Sequence, residues 1–146
     1  MRRSERASQR SPSGSPQPLL IFDGDCSFCT TSVRWLEAAF PGSFAVVPYQ
    51  RTNLASLALT EQQCRDRIQW VAVPSAPSLG RRDGARAVSA LLRRGGQDRG
   101  GLSGIAALTL GRIADVPPIS LLSTGIYALV AANRHRLPGG TPACRM

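Results

Sequence analysis

The sequence contains no lysine: all of its 18 basic residues are arginine, set against nine acids, which leaves a net charge of +9. It is also poor in aromatic rings, with two Trp, two Tyr and four Phe, and it holds one histidine, His135. A positive balance of this size attracts polyanions such as nucleic acid or an acidic membrane surface. The shortage of rings to stack on bases argues against nucleic acid, and so does the arrangement of the charge. Arg2, Arg3, Arg6 and Arg10 sit in one terminal tail and the rest are scattered among acids. Cysteine is scarce too. Four residues, Cys26, Cys29, Cys64 and Cys144, do not make the dense framework of a small disulfide-stapled domain, so stability has to come from a hydrophobic core. A chain of 146 residues with 42% hydrophobic content can build one such core. Ahead of Pro18 there is no apolar stretch, so neither a secretory signal nor, from Arg2-Arg3, a twin-arginine signal is expected, and the expected location is cytoplasmic. In that reducing compartment a close cysteine pair is more often catalytic or metal-binding than a cross-link.

Residues 1–17 are Ser, Arg, Pro and Gly with almost nothing to bury, and a disordered tail is expected there. One domain is expected over residues 18–137, followed by a flexible tail over 138–146. Leu19-Leu20-Ile21-Phe22 reads as a strand covered on both faces, stopped by Asp23-Gly24-Asp25. From Ser27 to Phe40 the apolar positions Cys29, Val33, Leu36 and Phe40 keep helical spacing until Pro41-Gly42, and Phe44 to Val47 follows as a second strand, completing a βαβ unit. Residues 53–66 suit one helix or two short ones, with Thr60 and Gln63 as a capping pair. Ile68 to Val73 and the weaker segment Ser78 to Arg82 read as a hairpin, and Ala85 to Arg94 reads as a helix closed by Gly95-Gly96. The order β-α-β-α-β-β-α is followed by two further helical patterns, Leu102 to Ile113 and Ile119 to Ala132, broken at Pro117-Pro118. Leu102, Ile105 and Leu108, with Ile119, Leu122, Ile126 and Leu129, are the stripes expected to pack on that core. Val116 to Asn133 carries no charge over 18 residues, which makes a membrane-associated helix the alternative.

The chemistry is concentrated in Asp25-Cys26-Ser27-Phe28-Cys29. Two thiols three residues apart at the start of a helix lie near one face and can close a disulfide ring. Cys26, at the positive end of the helix dipole, is the expected exposed nucleophile; Cys29, in line with Val33 and Leu36, is the expected shielded thiol that resolves a mixed disulfide. Asp25 is expected to cap the helix, and Asp23 and Asp25 are the carboxylates able to take the Cys29 proton or to oppose a thiolate on Cys26. A structural zinc site is the competing reading of the pair, with Cys64, Cys144 and His135 as the further ligands, none of which forms a second close pair. Cys64 is expected to be half-buried on its helix and Cys144 exposed, each with a third redox thiol as its alternative role. Trp35 and Trp70 are read as core or rim residues.

The run from Leu20 to Cys29, continued by Val33-Arg34-Trp35-Leu36, closely resembles the opening of the DCC family of thiol-disulfide oxidoreductase-like proteins, named for an Asp and two Cys. Gly84-Ala85-Arg86-Ala87-Val88 and Asn133-Arg134-His135-Arg136-Leu137 extend the resemblance more loosely, so that it covers about residues 19–137. It implies a thioredoxin-like fold and a disulfide oxidoreductase activity. It also implies Asp25, Cys26 and Cys29 as signature positions with Asp23 beside them, a protein or small-molecule disulfide or dithiol as partner, an electron donor of unknown identity, and no cofactor. Thioredoxin itself is matched less closely, since Ser27-Phe28 stands where it has Gly-Pro. A non-catalytic binding module on the same fold is the rival class.

Overall fold

A computed structural model describes residues 17–74, 80–134 and 136. The two expected tails lie outside these residues apart from Gln17, which is buried and donates from Nε2 to the Gly42 carbonyl at 2.7 Å.

Strand β1 (Leu19–Phe22) runs through the middle of the molecule, and the alternation of its side chains divides the core. Leu20 and Phe22 join Trp70 on one face of the sheet, and Ile21 joins Val71 on the other. Helix α1 (Ser27–Ala39) leads to β2 (Ala45–Pro48), which pairs in parallel with β1, placing Leu20 beside Val46. Two 3₁₀ turns, Tyr49–Arg51 and Ala55–Leu57, and the short helix α2 (Glu61–Asp66) cover the Ile21 face with Tyr49, Leu57 and Cys64. Strands β3 (Gln69–Val71) and β4 (Arg81–Asp83) add an antiparallel hairpin, giving the sheet order β2-β1-β3-β4. Helix α3 (Gly84–Arg99) packs with α1 on the Leu20 face through Ala87, Ala90 and Leu91. This is a thioredoxin-like β-α-β-α-β-β-α core, and α4 (Gly101–Ala114) and α5 (Ile119–Asn133) are added to it.

The capping pair is formed as expected: Thr60 Oγ1 accepts from the Gln63 amide at 3.2 Å and Gln63 Oε1 accepts from the Thr60 amide at 2.9 Å. A six-residue helix depends on its ends more than on its middle. Thr60→Ala is therefore expected to lower the unfolding free energy by about 1 kcal/mol, read from the urea midpoint at unchanged slope.

Three expectations about packing are corrected. Gly95-Gly96 does not end α3, which continues to Arg99; both glycines are buried because neighbours occupy the space of a side chain. A Cβ on Gly95 would lie 2.4 Å from the Phe40 ring, and one on Gly96 would lie 2.6 Å from the Gly104 carbonyl oxygen and the Leu108 amide of α4. The turn falls at Gly100 and Gly101, whose φ angles of 63° and 64° suit glycine. Nor do most residues of the apolar stripes of α4 and α5 face the core: α4 meets α3 through Gly104, Gly111 and the half-buried Leu108, and Leu102, Ile105, Ile119, Leu122, Ile126 and Leu129 are all exposed. Trp35 is exposed as well, whereas Trp70 is core, edge-on to Phe44 with ring centres 5.9 Å apart.

Candidate dithiol site

The turn Asp23-Gly24-Asp25 joins β1 to α1 and is held by its own backbone and by one side chain from after β2. Asp23 Oδ1 accepts from the Asp25 amide at 3.1 Å and from Gln50 Nε2 at 2.9 Å, and Gln50 Oε1 accepts from the Gly24 amide at 3.1 Å. Gly24 has to be glycine here, since a Cβ would lie 2.8 Å from that of Pro48. Gln50 gives no local signal in the sequence, because its partners are 26 and 27 positions away.

The N-cap of α1 is Cys26 and not Asp25, which is a correction to the expected cap. Cys26 Sγ accepts from the Cys29 amide at 3.4 Å, taking the place a carboxylate or hydroxyl oxygen usually fills. The expected exposures are also reversed. Cys26 is 0% exposed, whereas Cys29 is only partly buried. The helical stripe of Cys29, Val33 and Leu36 identifies an inward face correctly, but that face ends at a cavity, and Cys29 is at its wall.

The cavity has a volume of about 180 Å³ and is mostly apolar, bounded by Phe22, Phe28, Val33 and Leu36 on one side and by Ile68 and Val88 on the other. Five polar or sulfur-bearing groups complete it besides Cys29: Asp23, Ser32, Cys64, Tyr127 and Arg134. Tyr127 and Arg134 are seven positions apart, two turns, so α5 and its C-cap present them from the same face. Arg134 Nη1 donates to Cys29 Sγ at 3.9 Å, and the Tyr127 hydroxyl accepts from the Ile68 amide at 3.0 Å. Neither was assigned to the site from sequence spacing, since only the fold brings residue 134 back across 105 positions to residue 29. The one signal for Arg134 was its place in the run Asn133 to Leu137. Asp23 and Asp25 border a second, polar hollow of about 190 Å³ together with Tyr49, Arg65 and Arg134, so Asp23 and Arg134 are shared between the two and Asp25 faces the polar one.

Burial pushes the Cys29 thiol above its ordinary value; the hydrogen bond with Cys26 and the Arg134 guanidinium pull it back, and the Asp23 carboxylate opposes them. Burial also raises the Tyr127 phenol, against the hydrogen bond from Ile68. Cys64 is 1% exposed, more deeply buried than expected, and burial pushes its thiol up to about 11. A thiol raised in the folded state releases its proton first in the unfolded chain. Stability is therefore expected to fall as pH rises from about 9 to about 11, and Cys64→Ala should flatten that part of the pH dependence whatever its effect on stability at neutral pH, as measured by denaturant unfolding.

Among the described residues no group of three or more His, Cys, Asp or Glu could hold a metal ion. Two of the zinc-reading ligands, His135 and Cys144, lie outside them.

A thioredoxin-like core with a Cys-x-x-Cys pair opening its first helix defines a protein of the thiol-disulfide class. A sequence model of the DCC1-like thiol-disulfide oxidoreductase family matches residues 20–140, and the chain belongs to that family. No curated protein and no solved structure gives a significant match.

Proposed function

We propose that the protein is a dithiol-disulfide oxidoreductase in which Cys26 and Cys29 alternate between dithiol and disulfide. The observation that supports this best is the coupling of the pair at the helix start: Sγ of Cys26 receives the Cys29 amide at 3.4 Å, and both residues are present as thiols. Cys29 is the sulfur a substrate reaches first, because it lines the cavity and Cys26 is enclosed. Its thiolate, balanced by Arg134, attacks one sulfur of a substrate disulfide; a Cys29-substrate disulfide forms and the other substrate half leaves as a thiolate that takes up a proton. Asp23 is the carboxylate placed to receive the proton that Cys29 gives up. Cys26 then attacks the Cys29 sulfur, closing the Cys26–Cys29 disulfide and releasing the second half as a thiol. Two electrons have passed to the substrate, and an external dithiol donor restores the pair. Aimed at the Cys26 sulfur, the helix N-terminus and the Cys29 amide favour the thiolate that this second step needs. Asp25, at the polar hollow, acts through the turn and its field. A reducing, cytoplasmic setting suits it, since the donor must return the pair to the dithiol.

The test is reduction of insulin disulfides with dithiothreitol as donor, compared between the parent protein, Cys26→Ser and Cys29→Ser. Acceleration by the parent that both variants lose is the expected result; equal rates would leave a binding module on the same fold.

A further inference from the structure

We propose that α4 and α5 dock on the surface of a lipid bilayer that carries anionic headgroups. The two helices are amphipathic in the inverse sense. On α5 the inward face carries Ser123, Tyr127 and Arg134 at its C-cap, all engaged in hydrogen bonds, and the outward face carries the oily side chains. Leu122, Ile126 and Leu129, spaced four and three apart, are 64%, 54% and 65% exposed, and α5 has no buried residue. On α4 the inward side is Gly104 and Gly111, and Leu102, Ile105, Leu110 and Ile113 point away at 45% to 88% exposure. Scattered exposed Leu and Ile are ordinary; a whole apolar face on two consecutive helices marks an interaction surface.

Length and shape place this surface on a bilayer and not through it. No single helix among the described residues is long and apolar enough to cross a membrane; the pair reaches that length and apolarity only together, and it is bent by 95° at its break. At about 1.5 Å per residue the 14 and 15 residues of α4 and α5 span roughly 21 Å and 22 Å, against about 30 Å of hydrocarbon. Their inner sides are occupied by α3, so lipid can meet only the outer ones.

Charge selects the occupant. Between residues 100 and 133 the only charged residues are Arg112 and Asp115, and Asp115 is turned inward onto Ser89, Arg82 and Arg93. Arg112, about 80° round α4 from Gly104 by helical period, sits at the rim of the apolar face, with the exposed Arg136 beyond the end of α5. A second copy of the chain brings the same net charge of +9 to a two-fold contact, which opposes it. Anionic headgroups attract them, and each arginine near such a surface is worth about fivefold in binding.

Flotation of the full chain with vesicles of phosphatidylcholine containing about a third phosphatidylglycerol tests this, against vesicles of phosphatidylcholine alone. The parent should float with the anionic vesicles, less so in high salt. The double variant Leu122→Asp, Ile126→Asp should lose at least about tenfold in binding, and Arg112→Glu a smaller amount. Absence of flotation, equal binding to neutral vesicles, or undiminished binding by the double variant would overturn the proposal. So would a dimer, seen by light scattering and dissolved by the double variant, in a protein that ignores vesicles. Should the double variant not fold, Leu121→Trp in an otherwise intact chain decides: emission that shifts to the blue and is quenched by brominated acyl chains supports docking, and emission unchanged by vesicles excludes it.

Discussion

Cys26→Ser is expected to reduce disulfide turnover by at least about a thousandfold and to accumulate a stable mixed disulfide on Cys29, visible as a mass increase on the peptide that contains residue 29. The size of the loss follows from what the substitution removes. With Cys29 intact the first exchange proceeds, but the Cys26 sulfur that releases the substrate half is gone, so the cycle stalls at the mixed disulfide. Cys29→Ser should lose turnover to a similar degree without trapping substrate, because the remaining thiol is enclosed. A mixed disulfide found on Cys26 in Cys29→Ser, and none on Cys29 in Cys26→Ser, would assign the two sulfurs the opposite way.

Gly96→Val should destabilise the protein by about 3 kcal/mol or more, the upper part of the range for overpacking. Its Cβ would come 2.6 Å from both the Gly104 carbonyl oxygen and the Leu108 amide, and these are backbone atoms that cannot swing aside as a side-chain end can. The relief available is separation of α4 from α3, which also moves α5 and therefore Tyr127 and Arg134 at the cavity wall. Loss of stability by denaturant unfolding should accordingly be joined by slower alkylation of Cys29 as the guanidinium leaves it. Gly125→Ala makes the contrast. Nothing lies within 4 Å of its added Cβ, so the helix preference for alanine should raise stability by up to about 1 kcal/mol.

The elements near the dithiol were readable because their signals are local. Leu19 to Phe22 is a four-residue apolar run between breakers, and Thr60 and Gln63 cap a helix that lies between them and Asp66. Where a residue's meaning depends on what arrives from far along the chain, the local signal misled. Gly95-Gly96 has the composition of a helix stop, and only the approach of Phe40 and α4 makes it a packing surface. Ile119, Leu122, Ile126 and Leu129 have the period of a buried stripe, yet periodicity reports that a helix has two unlike faces and not which of them meets protein. The same limit applies to the thiols: dipole and spacing identify the pair, whereas their relative exposure depends on the tertiary fold, which buries Cys26 and opens Cys29 onto a cavity lined by Tyr127 and Arg134.

In the proposed cycle one reacting sulfur is also the cap of α1, so the redox state of the pair and the integrity of the first helix would share one hydrogen bond. A thiolate at that position is a stronger acceptor for the Cys29 amide than the divalent sulfur of a disulfide, so oxidation weakens the cap and the reduced form is the one the helix prefers. An N-cap is worth about 1 kcal/mol, which for a two-electron couple corresponds to roughly 20 mV toward the oxidising side. The reduction potential of the pair is thus set in part by a helix end, and substitutions that strengthen or weaken the first turn of α1 should move it without touching either sulfur.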